Sequence, residues 1–197
     1  GGMVTTNNKK FALEIRKLKA FGYNRNLNER VIPGIYDVTE MGFNYRMSEI
    51  HASIGLVQLK KFDKFLKIRK KNYLFLYNLF KNIEGVHLFS ECNKFSSHSF
   101  YCLNITIEKK IKIKRNQLIL WLKKNGIVVS VHYPKALPEF KFYNKKYSIN
   151  KNNFRISKWI ADNTISLPVA PHLNLKDMEF IYKKVIKGID ICSQKKR

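Results

Sequence analysis

Apolar positions along this chain recur with a helical period in some stretches and alternate in others. Phe11, Ile15 and Leu18 predict a first helix over about residues 9–20. Asn7 or Asn8 is placed to cap it, and Gly22 follows as an exit able to take positive φ. Before it, Gly1 to Asn8 read as a short strand with a turn after it. Residues 23–41 are polar and irregular, with Pro33-Gly34 as a turn pair. A long helix is predicted next, over about residues 47–82. Met47, Ile50, Ile54 and Val57 line one face of its first half, and the spacing predicts that face to be buried. Phe62, Leu66, Tyr73, Leu76 and Phe80 continue an apolar face, and lysines from Lys60 to Lys71 make the solvated side. A helix of this length suggests a spine between two lobes.

Gly85 stops that helix. Val86 to Leu88, Ser99 to Ile107, Ile127 to His132 and Thr164 to Pro168 then read as strands. The last is an edge strand, because Pro168 lacks a donor. Lys114 to Asn125 and Phe154 to Asp162 read as helices. Asn174, with Asp177 three residues on, caps a final helix whose core face is Met178, Ile181, Val185 and Ile189. This order predicts a small α/β lobe after the long helix, without internal repeats.

The loop that enters the long helix concentrates the chemistry. Asn44 offers amide donors suited to a phosphate, and Arg46, two residues on, offers a guanidinium suited to a diphosphate or carboxylate. Structural roles are open beside these: Asn44 tolerates a left-handed turn, and Arg46 can pair with Glu49. Ser48 is placed as the helix cap, with Glu49 in the first turn. Gly55 inside the helix suggests close approach of another backbone.

Composition narrows the remaining choices. The 197 residues are 45% apolar, enough for one sizeable domain or one and a half small ones. Lys and Arg number 38 against 14 acidic residues, a net charge of +24. A basic nucleic-acid-binding module is therefore the alternative from another class. The basic residues, however, are spread along the whole chain among Asn, Ile, Phe and Tyr, and no aromatic–basic platform or helix-turn-helix spacing accompanies them. Nucleic acid is not an expected partner, and Lys195-Lys196-Arg197 is only a short tail. No run of about 18 apolar residues predicts a membrane span, and no basic-then-apolar start predicts a signal peptide. Cys92, Cys102 and Cys192 lie far apart without a C-x-x-C, which fits a reducing cytoplasm. His51, His87, His98 and His172 have no partners at metal or triad spacing, so no metal site is expected.

The run from Gly42 to Asp63, GFNYRMSEIHASIGLVQLKKFD, resembles the DegT/DnrJ/StrS family of sugar aminotransferases that depend on pyridoxal 5'-phosphate. Members read G-x-N-x-R-M, then an Ala-rich Ile-Gly-Leu, then Gln-Leu and a basic helix; Ser53 stands where a second alanine is usual. The resemblance implies the C-terminal part of a fold type I transferase. Residues 1–46 would end the large domain with an interface loop, 47–82 would be the linking helix, and 83–197 the small α/β domain. The family's lysine that forms a Schiff base with the cofactor is followed by a short segment ending Glu-Gly-Gly, so the resemblance places it before Gly1. It implies that Asn44 reaches across a homodimer to the phosphate of the partner's cofactor, and that Arg46 lies near the interface site. It also implies that His132 and Tyr133, in Val131-His132-Tyr133-Pro134, lie near the sugar cleft, while Leu167-Pro168 is structural. The expected substrates are a nucleotide-linked keto sugar and an amino donor, usually glutamate. A second reading within the family is a sugar dehydratase, in which histidine replaces the lysine.

Overall fold

The computed structural model describes residues 2–23, 32, 34–89 and 97–194. Gly1, Pro33, Cys92 and the tail from Lys195 to Arg197 lie outside the described residues, as does much of the polar stretch after Tyr23. The elements are α1 (Lys9–Leu18), α2 (Glu49–Phe80), β1 (Val86–Leu88), β2 (Cys102–Ile107), α3 (Arg115–Lys124), α4 (Lys141–Tyr147), α5 (Arg155–Asn163), β3 (Thr164–Pro168) and α6 (Leu175–Gln194). The chain forms two compact units, Gly1–Lys61 and Phe62–Arg197, with the boundary inside α2. Among the described residues, no helix is long and apolar enough to cross a membrane.

The second unit is built on an antiparallel sheet in the order β1-β2-β3. Val86 pairs with Ile107 and Leu88 with Ile105; Leu103 pairs with Leu167 and Ile105 with Ile165. Leu103, Ile105, Ile107, Ile165 and Leu167 are all buried, and they share one core with Tyr73, Leu76 and Phe80 of α2, Leu118 and Leu122 of α3, and Met178 and Val185 of α6. Thr106 is buried in the sheet, and its hydroxyl meets that of Thr164 at 2.8 Å. Asn72, on α2, is also buried, and its amide donates to the carbonyls of Ala170 (3.2 Å) and Leu173 (3.0 Å). A polar residue inside a helix face is tolerated here because both of its N–H groups are satisfied.

α6 starts as its sequence predicts. Asn174 Oδ1 accepts from the N–H groups of Lys176 (2.8 Å) and Asp177 (3.2 Å), and Asp177 Oδ2 accepts from the Asn174 N–H at 2.8 Å. This reciprocal cap fixes the first turn. Further along, α6 lies against α3 at Gly188. A Cβ there would stand 2.7 Å from Leu118 Cδ1 and from Trp121 Cε3, so glycine sets the spacing of the two helices.

Three expectations need correction. Residues 2–6 form no strand, because their backbone finds no ladder partner among the described residues. The stretch from Ile127 to His132 is not a strand either: it touches β3 through one bridge, Ser130 with Ser166, and Val128 is exposed. The face of Met47, Ile50, Ile54 and Val57 is not buried; Ile50 is 73% and Ile54 57% exposed, and nothing lies within 4 Å of a Cβ placed on Gly55. The helical spacing was read correctly, but spacing identifies a face without identifying its cover. α4, and the 3₁₀ turns at Leu137–Glu139 and Lys151–Phe154, carry too little apolar periodicity to be legible in the sequence.

Burial predicts how substitutions rank. Leu122→Ala should destabilise the chain by about 2–5 kcal/mol, and Gly188→Val by about 1–3 kcal/mol through overpacking. In the monomeric chain, Ile54→Ser, whose side chain is exposed within the protomer, should stay within about 0.5 kcal/mol. Urea unfolding of the three variants checks this, and a cost for Ile54→Ser equal to that for Leu122→Ala would contradict it.

Candidate functional site

The corner that presents Asn44 begins where α1 ends. Asn8 caps α1, its Oδ1 accepting from the Lys10 N–H at 2.9 Å and the Phe11 N–H at 3.3 Å. Past the helix, Phe21 and Gly22 both take positive φ, +64° and +73°. For Phe21 this conformation costs roughly 1–2 kcal/mol, whereas Gly22 adopts it freely. The double left-handed turn lets residues 42–45 run back beside residues 18–21. The Phe43 N–H donates to Leu18 C=O at 2.7 Å, the Phe21 N–H to Phe43 C=O at 3.0 Å, and the Tyr45 N–H to Lys19 C=O at 2.9 Å. Ala20, fully buried, forms an antiparallel bridge with Asn44.

Two glycines make that approach possible. A Cβ on Gly22 would stand 2.7 Å from the Glu40 carbonyl carbon, and one on Gly42 would stand 2.8 Å from Gly22 Cα. The carbonyl of Gly22 accepts from the N–H groups of Thr39 (3.0 Å) and Glu40 (3.2 Å). Lys17 Nζ meets Glu40 Oε1 at 3.3 Å, an exposed pair worth at most ~1 kcal/mol. The main chain therefore holds the corner, and the ion pair only trims it.

Asn44 is fixed by its backbone and exposes its side chain. Its φ is not positive, so the left-handed turn open in the sequence is not the reason for an amide here. Among the described residues, that amide makes no hydrogen bond. Arg46 does not pair with Glu49; its guanidinium lies 4.9 Å over the Phe21 ring. Such a contact contributes ~0.5–1 kcal/mol at an exposed site. The strained Phe21 thus seats the cation. Ser48 begins α2, its Oγ accepting from the His51 N–H at 3.4 Å and lying 2.7 Å from His51 Nδ1. The Asn44 amide and the Arg46 guanidinium are both groups whose chemistry suits an anion.

His132 and Tyr133 belong to the second unit. Ser130 ties their segment to β3: its N–H donates to Ser166 C=O at 3.1 Å, and the Ser166 N–H donates back at 2.9 Å. His132 Nε2 lies 3.3 Å from Cys102 Sγ, and its ring stacks on Tyr101 with centroids 5.6 Å apart. Tyr101 is held in turn by Arg69, which donates to its carbonyl at 3.3 Å and stands 5.6 Å over its ring. Burial pushes the Cys102 thiol up from its ordinary value, with the Ser166 hydrogen bond and the Arg69 charge acting the other way. Tyr133 is 70% exposed.

The structure therefore brings Asn44 and Arg46 to one corner, and gives His132 a shelf that the sequence did not announce. Arg69, Tyr101 and Cys102 were missed as a group. Alternation along β2 is the signal that could have found two of its neighbours: Leu103 and Ile105 point into the core, so Cys102 and Asn104 share the opposite face.

The chain belongs to the DegT/DnrJ/EryC1/StrS aminotransferase family, whose model matches residues 1–186. It is 34% identical over 193 residues to an uncharacterised protein of Methanocaldococcus jannaschii, covering 95% of this chain and 49% of that protein. It is 31% identical over 201 residues to the UDP-4-amino-4,6-dideoxy-N-acetyl-beta-L-altrosamine transaminase of Campylobacter jejuni, covering 95% and 50%. Among solved structures, the Helicobacter pylori aminotransferase PseC, involved in pseudoaminic acid biosynthesis, superposes with a TM-score of 0.81 at 22% identity, covering 94% of this chain and 47% of that one. The apo-form of the putative sugar aminotransferase Spr1654 from Streptococcus pneumoniae gives 0.81 at 22% identity, covering 98% and 46%. The fold is thus that of part of a fold type I sugar aminotransferase. The chain spans about half the length of the curated relatives it matches.

Gly42→Ala should open the corner. In the wild type, the Phe43 and Tyr45 amides should be protected from hydrogen exchange by their bonds to Leu18 and Lys19. In the variant they should exchange like unbonded amides. Equal protection in both would contradict the crossing.

Proposed function

We propose that this chain is the C-terminal half of a pyridoxal 5'-phosphate-dependent aminotransferase that transfers an amino group, with glutamate as donor, to a keto group of a nucleotide-linked sugar. Family membership supports this reading, as does the similarity to the Campylobacter jejuni transaminase. The observation that carries it is the corner itself: an amide held in place by backbone hydrogen bonds, with its own donors unspent. In this reading residues 1–46 finish the large domain, 47–82 link, and 83–197 form the small domain. The enzyme works as a cytoplasmic homodimer in polysaccharide biosynthesis.

The cofactor, when bound, supplies an electron sink for amino transfer. The chain's own residues bind and orient. Asn44 donates to the phosphate of the cofactor held by the partner subunit, and Arg46 adds positive charge beside it. His132 and Tyr133 meet the sugar. The apolar, exposed half of α2 supports a dimer, because Ile50, Ile54 and Val57 have no cover within the described chain.

The test uses the dimeric enzyme that carries this chain. Asn44→Ala should weaken cofactor binding, followed by absorbance, by roughly 10- to 100-fold, the value of about 1.5–3 kcal/mol for a hydrogen bond to a charged group. Unchanged affinity would overturn the assignment of Asn44. Product analysis checks the reaction: an aminated sugar formed with consumption of glutamate is expected. A dehydrated sugar with glutamate untouched would move the enzyme to the dehydratase branch.

A further inference from the structure

The contacts around His132 constrain where its proton can sit. Ser166 Oγ lies 2.6 Å from Asn104 Oδ1. That separation suits O–H···O and is short for N–H···O, so while the thiol is neutral the Ser166 hydroxyl donates to Asn104 Oδ1, and its bond to the sulfur belongs to the thiolate. Cys102 Sγ lies 3.5 Å from the same Oδ1. An amide oxygen only accepts, so the arrangement that satisfies all four groups has the Cys102 S–H pointing at Asn104. Reversing the thiol toward His132 would set the sulfur lone pairs against that oxygen. The raised thiol pKa keeps the proton on sulfur at neutral pH. With its hydrogen committed, Cys102 can only accept from His132, 3.3 Å away, so His132 must donate from Nε2.

We infer that Cys102 is a positioning residue that fixes His132 in its Nε2–H form, leaving a bare Nδ1 that accepts a hydrogen bond from a hydroxyl of the sugar. The inference rests on the reading of His132 as a sugar contact for its second half only. Tyr101, stacked on the imidazole and backed by Arg69, sets the ring plane; Cys102 sets its rotation. His132 is exposed, and among the described residues its Nδ1 takes no partner, so that nitrogen is available to a ligand. A neutral imidazole accepting at Nδ1 suits a hydroxyl, whereas a phosphate would require the protonated ring.

Long-range ¹H–¹⁵N correlation of the ¹⁵N-labelled chain at pH 8, where an ordinary imidazole is neutral, reads the tautomer directly. The wild type should show one form, protonated at Nε2 and bare at Nδ1. Cys102→Ala should relax toward a mixture, changing the ratio several-fold, and Cys102→Ser should restore the single form. Dispersed amide signals from β2 confirm that each variant is folded. An Nδ1–H form in the wild type, or a ratio unmoved by Cys102→Ala in folded protein, would overturn the positioning role. Adding a nucleotide-linked sugar to the dimeric enzyme should then shift Nδ1 while Nε2 stays protonated. Conversion to imidazolium on binding would overturn the hydroxyl assignment. Absence of any shift would count against the sugar contact itself, a failure separable from that of the tautomer.

Discussion

Two backbones cross where neither strand has room for a side chain. Gly22 and Gly42 occupy that crossing, and the rest of the corner depends on it. Any larger residue at either position would push the segments apart, breaking the bonds that Phe43 and Tyr45 make to the end of α1. Because the main chain does the holding, the side chains of Asn44 and Arg46 are spared from structural duty. Arg46 rests on Phe21, whose left-handed backbone is itself part of the crossing. One geometric constraint thus produces both the local fold and a pair of exposed side chains, an amide and a guanidinium.

α2 shows how one element can meet two different environments. Its later turns bury Tyr73, Leu76 and Phe80 against the sheet and α6. Its earlier turns expose Ile50, Ile54, Leu56, Val57, Leu59 and Phe62. These side chains fall on more than one side of the helix, a distribution expected of a helix that is covered all round. Each large apolar side chain withdrawn from water contributes about 1.5–3 kcal/mol, so leaving all of them wet would be a substantial loss. The proposed dimer offers cover for this half, and the second unit stands on a core of its own.

How much could be read from the chain beforehand follows from which forces are local. The cap at Asn174 and the core positions Met178, Ile181 and Val185 were legible, because capping and helical period act within a few residues. β2 and β3 were legible as strands, the latter through the proline at its end, but the buried face of β2 is Leu103, Ile105 and Ile107, opposite to Cys102. The run after Gly126 misled: Ile127, Val128 and Val129 have strand propensity, yet only Ser130 finds a ladder partner. Propensity cannot supply a neighbour. Arg46 was equally ambiguous from sequence, since Glu49 is near in the chain while Phe21 is near only in the fold. Asn44 stands out in the sequence because its motif is contiguous, whereas its role rests on the proposal. The shelf under His132 was not, because Arg69, Tyr101, Cys102 and Ser166 come from α2, β2 and its approach, and β3.

The central claim is that Asn44 serves a cofactor bound by the neighbouring subunit. Mixed dimers test it most directly. Protomers carrying Asn44→Ala are combined with protomers in which the family's cofactor lysine is replaced, and the hybrid's cofactor content and affinity are measured. If Asn44 acts across the two-fold, each hybrid regains one site of wild-type affinity, built from the lysine of the first protomer and the amide of the second. If every site in the hybrid remains weak or empty, the amide acts within its own subunit or not at all, and the account is contradicted.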